Sequence, residues 1–198
     1  GGCDWWPIET TLEFFGAALE LEDELRKSSA KEGTARPFIS HETHRMRSLA
    51  TPASTQSVLA AYPGLPLTAD LSHWVVGAER TFDFPSDAAW WPSLLALVAN
   101  ATVLTHARVG APREIQVADP RAPEHRQLLE AYEAWWDVIW AAQRKRGAPL
   151  LIEAEYGPAP YMPVLPYTNQ PVAHLESVVE SIGRRQVTRV ANGACELV

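Results

Sequence analysis

Four short apolar segments of the chain each end in a side chain that could bind a metal ion. These side chains are Glu42, Asp70, His106 and Glu155, and the segments that they end are expected to be strands over Pro37–Glu42, Leu65–Asp70, Thr102–His106 and Leu150–Glu155. Three carboxylates and one imidazole form a mostly oxygen ligand set, which suits Mn²⁺, Mg²⁺, Zn²⁺ or Co²⁺. The sequence therefore predicts one divalent-metal site, provided that the fold brings these distant residues together.

The segments between these side chains have helical patterns, and strands that alternate with helices build a parallel sheet. In a barrel of parallel strands, residues at the carboxyl ends of the strands converge on one site. The longest helix is expected to begin at Asp119, an N-cap acceptor that Pro120 follows, and to end near Arg146. Its inner face is expected to consist of Leu128, Leu129, Tyr132, Trp136, Ile139 and Trp140.

Composition limits the function classes. A chain of 198 residues fits one domain, and its net charge of −7 argues against a general nucleic-acid-binding protein. No apolar run approaches the roughly 20 residues that a membrane span needs. Cys3 and Cys195 lack the spacing of a zinc or redox motif, which indicates free thiols in a reducing compartment such as the cytoplasm.

Motifs along nearly the whole chain resemble the xylose isomerase-like, or sugar phosphate isomerase/epimerase, superfamily. The resemblance implies an α/β fold that is a partial TIM (β/α)8 barrel over residues 1–189, with a C-terminal tail at 190–198. It also implies that the four strands correspond to barrel strands five to eight, without the earlier strands. The motifs are His-Glu-Thr-His-Arg (41–45), Ala-Asp-Leu-Ser-His-Trp (69–74), His-Ala-Arg-Val-Gly (106–110), Asp-Pro-Arg-Ala-Pro-Glu (119–124) and Glu-Tyr-Gly-Pro (155–158).

The same resemblance implies the chemistry of a metal-dependent sugar or sugar-phosphate isomerase or epimerase. Glu42 and Glu155 would move a proton between the two faces of a substrate carbon through an enediolate. Asp70 and His106 would complete the shell of one divalent ion. The expected partner is a small sugar or sugar phosphate, with no membrane and no nucleic acid.

Each ligand candidate also has an alternative, which for Glu42 is a solvated carboxylate at the start of a loop. Asp70 could instead be a turn or helix-cap residue, and His106 could be a hydrogen-bonded core histidine. Glu155 competes with Glu153, which lies two residues earlier and on the same face of an extended strand. The match to the Glu-Tyr-Gly-Pro motif favours Glu155.

Four further residues are candidates for substrate binding. His73 could contact substrate or hydrogen-bond a ligand carboxylate. Arg108 could stabilise a developing oxyanion or hold a sugar hydroxyl or phosphate, or it could form a salt bridge with an acid at the barrel rim. His44 and Arg45 could bind an anionic or polyol substrate, or lie on a solvated loop.

Two other functions stay open at this point. A half barrel exposes two sheet edges and its own interior, so the chain could be a truncated or degenerate, non-catalytic protein that self-associates. The same superfamily also includes endonuclease IV, a DNA-repair enzyme with three zinc ions. That activity would need more ligands and a more basic surface than this sequence offers.

Overall fold

The computed structural model describes residues 2–34 and 38–193, which form an α/β fold around one parallel sheet. Pro37, at the start of the first predicted strand segment, and Cys195 lie outside the described residues. Among the described helices, none combines the length and apolarity that a membrane crossing requires. The helices are α1 (Ile8–Glu32), α2 (Pro52–Ala61), α3 (Ser72–Ala78), α4 (Trp91–Ala101), α5 (Arg126–Lys145) and α6 (Leu175–Ala191).

The sheet contains four parallel strands whose spatial order, β1-β2-β3-β4, equals their order in the chain. Each strand follows a helix-containing connection, as the alternating pattern predicts. Asp70 stands one residue after β2, and Glu155 stands two residues after β4. The strands are β1 (His41–Glu42), β2 (Leu67–Ala69), β3 (Thr102–His106) and β4 (Leu151–Glu153).

Helices cover one face of the sheet and leave the other open in the described part of the chain. On the covered face, the indole Nε1 of Trp140 in α5 donates to Thr105 Oγ1 at 3.2 Å. His106 comes next along β3, so its side chain points to the opposite face. On that face Leu151 is 45% exposed, and Phe38, which lies before β1, is 59% exposed.

The covered face carries an aromatic core. Trp74 of α3 and Trp136 of α5 are completely buried, and Phe82 stacks on Trp91 with ring centroids 4.4 Å apart. The predicted inner face of α5 is confirmed, with Leu128 partly buried and the others buried. This packing holds β2 and β3, and with them the candidate ligands at their ends, against a close-packed layer.

The predicted start of α5 is wrong. Residues 119–125 form a turn and a short 3₁₀ segment, and α5 begins at Arg126. Ala122 precedes a proline and is extended, with φ −61° and ψ 137°, because proline disfavours the helical conformation in the residue before it. The carboxylate of Asp119 accepts from the backbone N–H of Arg121 at 2.9 Å, so it closes a local turn.

The ends of two other elements differ slightly from expectation. Helix α5 ends at Lys145, one residue before the predicted Arg146, and Gly147 follows in the left-handed region with φ 66°. Helix α6 continues to Ala191, two residues beyond the predicted end of the domain at 189. Residues 194–198 of the predicted tail lie outside the described residues.

Candidate metal centre

The four predicted ligands lie together at the carboxyl end of the sheet. One ligand atom from each of Glu42, Asp70, His106 and Glu155 lies within 4.8 Å of the other three. Each of the four strands contributes one of these residues, within the strand or just after its last residue. Parallel strands in chain order therefore position the cluster, because their carboxyl ends share one edge.

His106 Nδ1 lies at the centre of the cluster. It is 2.7 Å from Glu155 Oε2, 3.4 Å from Glu42 Oε1 and 3.6 Å from Asp70 Oδ2. Two atoms that each lie about 2.1 Å from one ion are about 3.0 Å apart at a right angle and about 3.4 Å apart at the tetrahedral angle. The measured separations are therefore close to those of atoms that share one ion.

Two atoms of the cluster are buried without a hydrogen-bond partner of suitable geometry. They are His106 Nδ1 and Glu155 Oε2, although only 2.7 Å separates them. Buried polar atoms nearly always have a hydrogen-bond partner, and the ion pair of Glu155 Oε2 with Arg108 Nη2, at 3.1 Å, still leaves His106 Nδ1 without one. A divalent cation between them would satisfy both, and the donor set of three carboxylates and an imidazole fits such an ion.

Asp70 closes a local turn, as one of its two predicted roles requires, and it also lies in the candidate ligand cluster. Its side chain is fully buried, and Oδ1 accepts from Ser72 N at 3.0 Å and from Ser72 Oγ at 2.5 Å. The other oxygen, Oδ2, faces His106 and accepts from Arg108 Nη2. Asp70 therefore closes the turn before α3 with one oxygen and presents the other to the cluster.

Arg108 and His73 contact the cluster and are almost completely shielded from solvent, at 3% and 1% exposed. Arg108 Nη2 is 3.1 Å from Glu155 Oε2 and 3.0 Å from His73 Nε2. His73 Nε2 is also 3.8 Å from Glu42 Oε1 and from Asp70 Oδ2. For both residues, these contacts favour the support of ligand carboxylates over direct substrate binding.

The electrostatics of the cluster follow from three carboxylates in a confined space. Burial opposes the charged form of Asp70, but His106 and Arg108 hold the pKa of its carboxyl well below its usual range. Burial also lowers the pKa of His106, but the surrounding carboxylates outweigh burial and raise it to about 11. Either a protonated His106 or a divalent ion therefore supplies the positive charge that stabilises the three carboxylates.

His73 behaves differently from His106. Burial lowers the pKa of His73 to about 4 and outweighs the carboxylate of Asp70, which raises it, while the charge of Arg108 acts in the same direction as burial. The ring is therefore neutral near neutral pH, and its Nε2 accepts the hydrogen bond from Arg108 Nη2. A neutral ring that accepts from a guanidinium helps to fix the position of Arg108 beside the carboxylates.

His44 and Arg45 lie half-buried on the loop that follows β1. The ring of His44 lies 3.8 Å from that of His73, and its Nδ1 donates to Arg45 O at 2.5 Å. Ligand atoms of Glu42, His44 and His73 form a second group within 4.8 Å. The hydrogen bond from Arg108 already uses the Nε2 lone pair of His73, which weighs against a second ion there.

Glu153 does not join the ligand atoms. Its Oε2 lies 3.6 Å from His106 Nε2, on the side of the ring away from the cluster, and its side chain is 59% exposed. That distance is too long for a direct hydrogen bond. The geometry thus agrees with the choice of Glu155 over Glu153 as the ligand candidate.

The sequence did not reveal the residues that hold the ligands in place. Thr43 Oγ1 donates to Asp70 O at 2.8 Å and accepts from Asp70 N at 2.9 Å, which ties the ends of β1 and β2 together. Ser72 Oγ accepts from Arg108 Nε at 3.1 Å. The Asp-x-Ser spacing, which is typical of a local side-chain turn, could have indicated Ser72. No local pattern indicates Thr43, whose partner is 27 residues away.

Gly110 is expected to be essential for the packing behind the cluster. A Cβ at this position would lie 2.8 Å from Ile115 O and 2.9 Å from Ser72 Cβ. Gly110→Ala should therefore lower the free energy of unfolding by about 1–3 kcal/mol, as overpacking does. Urea denaturation measures this change. Gly64→Ala is the control, since a Cβ there meets no atom within 4 Å, and an equal loss in both variants would contradict the packing argument.

Comparison of the chain with protein-family models, with curated proteins and with solved structures gives no match.

Proposed function

We propose that the chain binds one divalent metal ion and acts as a sugar or sugar-phosphate isomerase or epimerase of the xylose isomerase-like kind, on part of a TIM barrel. The observation that carries this proposal is the convergence of Glu42, Asp70, His106 and Glu155 on one point. The order Glu, Asp, His, Glu on successive strands, which the resemblance rests on, supports it. A cytoplasmic location is part of the same expectation.

The exposure of the ligand candidates supports different roles for them. The side chains of Glu42 and Glu155 are 32% and 33% exposed, whereas that of Asp70 is fully buried. Glu42 belongs to β1 and Glu155 follows β4, so the two glutamates reach the cluster from opposite edges of the sheet. They are therefore the carboxylates that a substrate can touch, and from two sides.

The proton transfer would then use these two carboxylates. A divalent ion at the cluster would polarise adjacent oxygens of an open-chain sugar and make the neighbouring C–H bond more acidic. One glutamate removes that proton to give an enediolate, and the other returns a proton to the opposite face. Ser72 and Arg108 hold the carboxylate of Asp70 in position. His44, on the loop after β1, lies with its ring 3.8 Å from that of His73, and we expect it and Arg45 to contact the substrate.

Metal content and proton exchange test this proposal. The purified chain, loaded with Mn²⁺ and desalted, is expected to hold about one ion per chain by plasma mass spectrometry. Ketoses and ketose phosphates incubated with it in D₂O are expected to gain deuterium at the carbon beside the carbonyl. Glu42→Ala should lose both properties. Metal content at background level in the unmodified chain would rule the proposal out.

The open sheet face favours a second candidate function, a non-catalytic protein that self-associates. Parallel sheets are normally covered on both faces, yet Phe38 and Leu151 are exposed on the open face. In the described chain β1 and β4 each pair with a single neighbour, so each has a free edge. Size-exclusion chromatography with light scattering, with and without Mn²⁺, distinguishes the two functions. The second function is supported if the chain forms oligomers and if its unfolding transition is the same with and without Mn²⁺.

A further inference from the structure

The guanidinium of Arg108 lies against the same oxygens that form the candidate metal centre. Its Nη2 binds Asp70 Oδ2 and lies 3.1 Å from Glu155 Oε2. Those two oxygens are also the ones that face His106 Nδ1, at 3.6 Å and 2.7 Å. Two of the four ligand atoms are thus already in contact with a permanent positive charge.

The position of Arg108 is fixed by contacts outside the carboxylates. Its Nε donates to Ser72 Oγ at 3.1 Å, and its Nη2 donates to His73 Nε2 at 3.0 Å. The side chain is 4% exposed, so water cannot replace the carboxylates as its partner without movement of the site. A buried guanidinium needs a negative partner, and buried carboxylates need a positive one.

We propose that Arg108 is a positioning residue that serves as an internal counter-cation of the metal centre, holding Asp70 and Glu155 in place while competing with the divalent ion for their oxygens. This inference rests on the metal site of the proposed function. It differs from a substrate-binding role, because the guanidinium acts on the ligands and on the ion rather than on a sugar.

The proposal predicts the direction in which metal affinity changes when Arg108 is replaced, and a purely structural role predicts the opposite direction. Positive charges a few ångströms apart repel each other, and this repulsion is strong where water is excluded. Removal of the guanidinium charge should therefore strengthen metal binding. If Arg108 only held the carboxylates in position, its removal would let them separate and would weaken metal binding.

The first experiment measures Mn²⁺ affinity by calorimetric titration of the full chain. Arg108→Met, which keeps the length and apolar part of the side chain, is expected to bind Mn²⁺ at least about tenfold more tightly than the unmodified chain. Arg108→Lys, which keeps the charge, should remain closer to the unmodified chain. The control is Arg121→Met, since Arg121 pairs with Asp119 on an exposed turn, and it should leave the affinity unchanged.

A second measurement needs no substitution and so does not depend on whether the variants fold. The Nε–H of Arg108, identified by its contact with Ser72, should give a distinct signal in a ¹⁵N NMR spectrum of the unmodified chain. Titration with Mg²⁺ is expected to shift this signal, because the ion displaces the guanidinium from the oxygens of Asp70 and Glu155. A signal that stays in place while Mg²⁺ binds would overturn the proposal.

The outcomes separate this proposal from the proposed function. Unchanged or weaker Mn²⁺ binding by folded Arg108→Met, with normal binding by the unmodified chain, overturns the counter-cation and leaves the metal centre standing. Binding by Arg108→Met alone supports the counter-cation, since the guanidinium then blocks the site, and it rules out the proposed function for the unmodified chain. Binding by neither chain overturns the metal centre and the counter-cation together.

Discussion

Asp70→Asn is expected to abolish binding of divalent metal and to lower the free energy of unfolding by about 3–5 kcal/mol. The carboxylate is fully buried, and one of its oxygens binds Arg108 while the other binds Ser72. An amide keeps the shape but leaves the guanidinium of Arg108 buried beside a neutral partner. Urea denaturation without metal measures the stability, and titration with Mn²⁺ measures the affinity.

The double variant Asp70→Asn/Arg108→Met provides the decisive control for this prediction. Removing both charges should restore much of the lost stability, because a buried pair replaced as a pair costs little. Metal binding should stay absent. Asp119→Asn, which loosens the exposed pair with Arg121, should change stability by less than about 1 kcal/mol. Equal destabilisation by Asp70→Asn and Asp119→Asn would contradict the claim that the charge of Asp70 stabilises the site.

The alternation of apolar strand segments with helical patterns was sufficient to predict the α/β fold. Strand β3 occupies the same five residues, Thr102–His106, that the apolar run indicated. The inner face of α5 was also predictable, because the 3.6-residue period of its aromatic residues reflects burial directly. These features depend on the local spacing of apolar residues, which can be read directly from a single sequence.

The start of α5 was not predictable from its strongest local signal. Asp119 followed by Pro120 is a common way to begin a helix, yet Pro123 imposes an extended Ala122 and delays the helix to Arg126. Two proline signals conflict here. The second signal prevails, and α5, once begun at Arg126, packs against α4 and β3.

The convergence of the candidate ligands could be predicted because it depends on strand ends. The contacts that hold these ligand candidates in place could not be predicted, because they join segments that are distant in the chain. Thr43 binds the backbone of Asp70, and Ser72 links Asp70 to Arg108 across 36 residues. Whether Arg108 faces a substrate or a carboxylate is likewise decided by burial in the fold. The structure places it against the carboxylates.

A comparison of Glu155 with Glu153, two residues apart in the chain, tests which of the two carboxylates binds the metal ion. Glu155→Gln is expected to weaken Mn²⁺ binding by at least about 100-fold, because even residues that only orient metal ligands contribute about 10–100-fold. Glu155 belongs to the candidate ligand cluster, and its Oε2 lies 2.7 Å from His106 Nδ1. An amide oxygen lacks the charge that a hard divalent ion prefers. Calorimetric titration measures the affinity.

Glu153→Gln is the matched control, since it makes the same chemical change two residues earlier, at the end of β4. Its carboxylate lies 3.6 Å from His106 Nε2 and is mostly exposed, so the change should weaken Mn²⁺ binding by less than about tenfold. Urea denaturation of both variants without metal measures the stability that each carboxylate contributes apart from the ion, which we expect to be larger for Glu155 because of its contacts with His106 and Arg108. A larger loss of affinity for Glu153→Gln than for Glu155→Gln would contradict the choice of Glu155 as ligand candidate and would favour a site beside His106 Nε2.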